Sequence, residues 1–238
     1  MDAPAIPILF EDNHLLVVEK PPNLPSQSDS SGDPDLLSLL KADLKQRHAK
    51  PGNVYLGMVH RLDRPVGGVM VFAKTSKAAA RLSEQIRIRQ FQKVYGAVIH
   101  GLPEAREGEL RHFLAKDLQT NTSRVVAADH PEAKEAVLRF EVVACARARE
   151  ASFALTRIRL QTGRSHQIRV QMAATGHPLY GDQKYGAARN QPGQQLALWA
   201  IELGFNHPTK NEWLRFNSAP PRIHPWNLFE GMKIFPME

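Results

Sequence analysis

Apolar residues fall in short blocks along this chain, and most blocks carry the period of a strand. Residues 6–10 and 15–19 flank Glu11-Asp12-Asn13, which predicts an opening hairpin. A Pro-, Ser- and Asp-rich stretch over 21–34 reads as a long loop. Asp33 followed by Pro34 predicts a helix start, with Asp33 as cap and Pro34 in the first turn. Leu36, Leu37, Leu40 and Leu44 then recur at helical spacing, so residues 34–48 form an amphipathic helix. Strands over 55–60 and 68–73 are joined by a turn that carries Asp63. Thr75 caps a helix running to about Arg89, with Ala78, Ala79, Leu82 and Ile86 on its apolar face and Lys77, Arg81 and Arg87 pointing elsewhere.

Strand signals dominate the middle, over 94–100, 137–144 and 151–161. In the last of these, Ala154, Thr156, Ile158 and Leu160 share one face, and Arg157 and Arg159 take the other. Ser165 is expected to cap a helix through Thr175, stopped by Gly176 with Pro178 beyond. His166 and Arg169 share a face of that helix, while Ile168 and Met172 face the core. Residues 187–195 read as a flexible loop, and 196–203 and 213–216 as closing strands. Strands outnumber helices and adjoin as hairpins. The predicted class is α+β, with a mixed, mostly antiparallel sheet flanked by helices. With no repeat, low-complexity block or long linker, residues 1–238 are expected to form a single domain.

Composition narrows the function classes only a little. The 238 residues are 42% apolar, enough for a sizeable core. Lys plus Arg number 31 against 24 Asp plus Glu, a net charge of +7 that suits a polyanionic partner without identifying one. The single cysteine, Cys145, rules out a disulfide framework and any cysteine-based zinc site. Its neighbours Val142, Val143, Ala144 and Ala146 predict a buried small side chain rather than a nucleophile. The first residues lack a secretory pattern, no apolar run approaches membrane-spanning length, and a cytoplasmic location is expected.

The most informative segment is HRLDRPVGGVMVFAK at 60–74. Asp63 lies between Arg61 and Arg64, just after His60, in a turn at the mouth of an apolar strand. A carboxylate fixed there among cations can serve chemistry, although a plain surface Asp–Arg pair has the same local pattern. A second basic segment, TGRSHQIR at 162–169, favours the chemical reading.

HRLDRPVGGVMVFAK resembles the HRLD signature of the RluA family of RNA pseudouridine synthases. Three further segments are similar to that family's motifs, in its order: ILFEDNHLLVVEKPP at 8–22, KVYGAVIHG at 93–101, and TGRSHQIRVQMA at 162–173 followed by GHPLYGD at 176–182. The resemblance runs over roughly residues 6–220. It implies the family's central bifurcated sheet and the isomerisation of specific uridines in structured RNA, tRNA or rRNA, through a catalytic aspartate. That reaction neither gains nor loses atoms and involves no redox step. No metal and no nucleotide cofactor is expected, in keeping with the lack of a Walker loop, a dinucleotide fingerprint, HExxH or Cys/His ligand spacing.

By the same resemblance Asp63 matches the family's nucleophile or base, and Tyr95 its active-site tyrosine. Arg169 matches the arginine expected to hold the aspartate ionised, with Arg164 as the rival for that part. Tyr95 can stack on the extruded base, relay a proton, or simply fill the core. Arg61 can occupy the space the base vacates. His60 can touch a phosphate or buttress the turn. Arg64, Lys74, Arg164 and His166 are candidate RNA contacts, with ordinary surface charge as the alternative. The chain departs from the family at Val66-Gly67-Gly68, where hydroxyl residues usually brace the loop, and at Gln171 and Trp199, where histidine is common. The opening hairpin starts at residue 6, so the small RNA-binding domain of many relatives is expected to be missing, and a monomer is expected. The competing class is a non-catalytic RNA-binding protein on the same scaffold, which need not keep Asp63. A metal-dependent nuclease would want paired carboxylates, and none cluster here.

Overall fold

The computed structural model describes residues 6–148 and 151–230, and the chain divides into two compact units. The first comprises residues 1–92 and 202–218, the second residues 93–201 and 219–238.

In the first unit the opening hairpin forms as the apolar pattern requires. Strands β1 (Ile8–Glu11) and β2 (Leu15–Lys20) pair antiparallel, and β2 pairs antiparallel with β4 (Gly67–Ala73). The Asp12 carboxylate turns the hairpin by accepting from the backbone N–H groups of His14 and Leu15, both at 2.7 Å. Strand β3, only Gly57–Met58, pairs with the far end of β4. All seven residues of β4 are buried. Val69, Val71 and Ala73 face a core shared with Leu15, Val17, Leu82 and Phe205. The alternate positions Leu16, Val18, Met70 and Phe72 are equally inaccessible, so this strand is covered on both faces.

Helix α2 (Ser76–Arg87) starts where the sequence predicts, with the Thr75 hydroxyl accepting from the Ala78 N–H at 3.2 Å. Helix α1 (Leu36–Arg47) corrects the expected start at Asp33. The cap is Asp35, which accepts from the Ser38 N–H at 3.0 Å and the Ser38 hydroxyl at 2.7 Å. Asp33 lies outside the helix, and its carboxylate is engaged by Arg64. Leu36, Leu40 and Leu44 are the buried face of α1, each worth roughly 1.5–3 kcal/mol of burial.

The second unit is built on an antiparallel sheet in the order β5 (Gln92–His100), β9 (Ala151–Leu160), β8 (Lys134–Ala148), β6 (Glu107–Asp117), β7 (Thr122–Val126). The pattern of apolar positions does not predict β6 or β7. Much of β6 and β7 is solvent-facing, with Glu107, Glu109, Arg111 and Arg124 at exposed positions, so only the ladders of β6 to β8 and of β7 to β6 reveal them. Strand β10 (Leu198–Asn206) contributes its first residues here and its last ones to the first unit, where it pairs with β11 (Trp213–Asn217). Helix α3 (Gln167–Ala174) begins one residue later than the Ser165 cap predicts. Its N-cap is His166, in a left-handed conformation with φ of 53° and no capping side chain. Cys145 is exposed rather than buried. Val142 and Ala144 point into the core, and the period-two alternation sends the next residue outward.

These caps make a direct comparison possible. Asp35→Ala is expected to destabilise the protein by about 1 kcal/mol, and Asp33→Ala, which breaks only an exposed ion pair, by less than about 0.5 kcal/mol. Urea denaturation midpoints of the two variants measure the difference. Equal effects, or the reverse order, would refute the assignment of Asp35 as cap.

Candidate active site

The Asp63 turn is fixed on every side by the first unit. Its backbone closes through the Val66 N–H, which donates to the Asp63 carbonyl at 3.0 Å. Gly68 follows with φ of 117°, a conformation that a side-chain-bearing residue rarely adopts, so the glycine pair is what lets the turn enter β4. On the other side Leu62 is buried and held by Ser26, whose hydroxyl donates to the Leu62 carbonyl at 2.7 Å and accepts from its N–H at 3.3 Å. With no hydroxyl at 66–68, the turn is braced by the hydroxyl of a loop residue 36 positions before Leu62. Asp63 as a residue is only half-buried amid these fixed neighbours.

His60 buttresses the turn: its Nε2 accepts from the Val71 N–H at 3.1 Å, and its ring meets Phe91 edge-on. Arg61 and Arg64 are exposed. Arg64 donates to Asp33 at 2.5 Å and to the Ser31 hydroxyl at 3.2 Å, which fastens the 29–33 loop beside the turn. Lys74, at the far end of β4, donates to Glu11 at 2.6 Å. Burial alone would raise the Glu11 carboxyl, but hydrogen bonds from Lys74, His48 and Arg47 outweigh it and lower the pKa to about 2. Beneath the turn lies Lys20, fully buried, its Nζ donating to the carbonyls of Pro21, Leu24 and Arg64. Sequence reasoning missed both Ser26 and Lys20, although Lys20 stands inside a motif.

In the second unit Tyr95 sits on β5 opposite Ile158 of β9, with 8% of its surface exposed. Arg169, on α3, is buried and makes a two-pronged pair with Asp182, Nε and Nη2 each donating at 2.8 Å. Its guanidinium lies 5.1 Å from the centre of the Tyr185 ring. The Tyr185 hydroxyl accepts from the Ser123 N–H at 2.8 Å and lies 2.7 Å from His166 Nδ1, so His166 belongs to the brace around Arg169. Arg164 donates through Nε to the Glu135 carbonyl on β8 at 2.9 Å. Gln167 shapes the approach to α3 by accepting from the Thr162 hydroxyl and the Arg164 N–H, while its own amide donates to the Val137 carbonyl. Lys93, two residues before Tyr95, has its pKa lowered by burial.

The loop that presents Asp182 is built by Asn190, a residue the sequence leaves inside a flexible stretch. Its side chain accepts from the Gly181 N–H at 2.7 Å and donates to the carbonyls of Leu179 and Gly186. Gly181 has no room for a side chain, since a Cβ there would stand 2.2 Å from the Gln195 carbonyl oxygen. Of the two departures from the family's usual histidine, Trp199 packs against Val94 and Ile201. Gln171 does more than pack, because its amide reaches the carbonyls of Leu110 on β6 and Ala136 on β8 and ties α3 to both strands.

Residues 14–174 match the RNA pseudouridylate synthase family. The chain is 35% identical to an uncharacterized RNA pseudouridine synthase of Aquifex aeolicus over 236 residues, covering 93% of this chain and 72% of that protein. It is also 35% identical over 222 residues to the dual-specificity RNA pseudouridine synthase RluA of Vibrio vulnificus, covering 92% and 84%. Among solved structures, the human RNA pseudouridylate synthase domain containing 4 superposes with a TM-score of 0.75 at 25% identity, covering 91% of this chain and 89% of that one. The chain therefore belongs to the RNA pseudouridine synthases, with their α+β fold, and within them to the RluA family; it is an isomerase.

The Ser26 brace can be tested on its own. Ser26→Ala leaves a buried N–H and carbonyl of Leu62 without their partner and is expected to cost about 1–3 kcal/mol. Denaturant unfolding measures it, and a change below about 0.5 kcal/mol would show that Ser26 does not hold the turn.

Proposed function

We propose that this protein converts specific uridines of structured RNA, tRNA or rRNA, to pseudouridine, with Asp63 as the reacting carboxylate and Tyr95 and Arg169 acting with it. The observation that carries the reading is the Asp63 turn. Its backbone is pinned by Ser26, Val66 and Lys20 while Asp63 as a residue is only partly buried. A merely RNA-binding scaffold has no need to over-determine one carboxylate in this way. The reaction breaks the bond from ribose C1′ to N1, turns the freed base, and joins C1′ to C5. N1 gains a proton and C5 gives one up, so the balance closes without an added reactant. Asp63 begins it as a nucleophile or as a base.

Arg169 reaches its task already oriented, since Asp182 fixes two of its nitrogens and Tyr185 its plane. Tyr95 offers a ring for the displaced base and a hydroxyl within the same side chain. A uridine taken out of its stack costs a few kcal/mol, and stacking on an aromatic ring returns roughly 1–3 kcal/mol of that. The net charge of +7 supports a polyanionic substrate. Arg61 fills the space left in the RNA, and Arg64, Lys74, Arg164 and His166 supply RNA contacts or hold the surfaces that make them.

Asp63→Asn is expected to abolish pseudouridine formation while RNA affinity stays within a few-fold, because phosphate contacts dominate affinity. Tritium release from RNA labelled at uracil C5, run beside a binding titration, measures both. Full activity in the variant would refute the assignment. Tyr95→Phe and Tyr95→Ala separate ring from hydroxyl. Phe is expected to keep RNA affinity and to lower the single-turnover rate only if the hydroxyl relays a proton, whereas Ala is expected to weaken capture of the base. Wild-type behaviour of Tyr95→Ala in both measurements would remove Tyr95 from the site.

A further inference from the structure

We propose that the cavity between α1 and the segment that follows it is a second RNA contact of this protein, a seat for a backbone phosphate outside the target nucleotide. The inference rests on the reading of the substrate as structured RNA, and it adds a site that none of the sequence motifs includes. The cavity measures about 330 Å³ and is lined by Lys41, Ala42 and Lys45 of α1 and by Gly52, Asn53 and Val54. Lys41 and Lys45 stand one helical turn apart, so two ammonium groups border one opening. Like charges at that spacing repel, and an anion held between them removes the repulsion.

No carboxylate of the chain takes that part. Among the described residues, neither ammonium group has a hydrogen-bond or ion-pair partner, and neither has the Asn53 side-chain amide. The carboxylates around α1 are committed to other cations. Asp43 is held by Arg47 at 2.7 Å, and Glu11 by Lys74 at 2.6 Å, Arg47 at 2.8 Å and His48 at 2.9 Å. On the opposite wall Gly52 brings no side chain, and a Cβ there would meet open space. The Asn53 amide offers N–H donors that suit phosphate oxygens. Ligand sites begin at about 300 Å³, more than a bare phosphate fills, so the space suits a phosphate that carries its sugars.

The place of the cavity says which phosphate. Its 52–54 wall leads into β3, which pairs with Ala73 and Phe72 at the end of β4 away from the Asp63 turn. Helix α1 reaches the same end of the sheet, because Arg47 and His48 bond to Glu11, as does Lys74 just after β4. The strand spans roughly 20 Å at about 3.3 Å per residue, far more than one nucleotide covers. A phosphate seated there belongs to another part of the folded RNA. Such a contact carries no base sequence but fixes how the RNA lies on the protein.

The experiment has two arms. In the first, lysines of the wild-type protein are acetylated with and without tRNA and rRNA transcripts, and again with inorganic phosphate or uridine monophosphate alone, and modified sites are read by mass spectrometry. RNA is expected to protect Lys41 and Lys45 and to leave Lys77 on α2 reactive. Protection of other lysines with Lys41 and Lys45 left reactive would overturn the proposal, as would protection by the small anions and not by RNA. In the second arm, RNA affinity is titrated against salt for wild type, for the double variant Lys41→Gln, Lys45→Gln, and for Lys77→Gln as the control for lost charge alone. The double variant is expected to bind on the order of 10-fold more weakly near 0.1 M salt, with a slope of log affinity on log salt shallower by about 1 to 2. A loss per charge no greater than that of Lys77→Gln would overturn the proposal. The first arm needs no variant, so it decides even if a substitution disturbs folding. Failure of the RNA reading is seen separately, as no lysine protected by RNA anywhere and no tritium released from any transcript by the wild-type protein.

Discussion

A strand with no exposed position sets the geometry of the first unit. β4 is buried over all seven residues, so it can be entered and left only at fixed points. The Asp63 turn is its entry. Because both faces of the strand are committed to core, a shift of one residue would exchange two buried sets, and the register against β2 is correspondingly fixed, from Leu15 opposite Ala73 to Lys20 opposite Gly68. The turn inherits that precision. Ser26 and Lys20 extend it from the strand to the backbone on either side of the aspartate, one with a hydroxyl and one with an ammonium.

The second unit solves a similar problem with charge rather than with strand burial. Arg169 is buried on a short helix, and a buried guanidinium without a partner would be expensive. Asp182 meets it in the two-pronged geometry that fixes the plane as well as the position, and Tyr185 covers one face of that plane. The carboxylate is itself held, accepting from the N–H groups of Lys184 and Tyr185. Asn190 and Gly181 shape the loop that delivers it. The left-handed conformation at His166 belongs to the same arrangement, since it lets that side chain reach the Tyr185 hydroxyl just before the helix begins. Strain at one residue is tolerated where several contacts over-determine it.

Exposed and enclosed cations thus have different parts. Arg64 and Arg87 hold carboxylates at the surface, where an ion pair contributes little to stability and is screened by salt. Lys20 and Arg169 are enclosed, and each is satisfied by groups that also fix its direction. The net positive charge of the chain says nothing of this division, because it counts both kinds alike.

Local pattern was enough for the elements whose signal lies within a few residues. The Asp12 turn, the Thr75 cap and the apolar faces of α1 and α2 are all written in neighbours along the chain. So was the motif that carries Asp63, and with it the family. What the sequence could not supply were choices between equivalent local signals and partners from distant segments. Asp33 before Pro34 reads as the cap, yet the folded chain pairs it with Arg64, 31 residues on, and caps the helix with Asp35. Solvent-facing β6 and β7 become strands only through the ladders of β6 to β8 and of β7 to β6. Ser26 looks like one serine in a polar loop until it meets Leu62, and Asp182 like the end of a turn until it meets Arg169. Periodicity reports which face of an element is apolar, but a buried polar group must be satisfied by whatever the fold brings to it, and only the folded chain decides what that is.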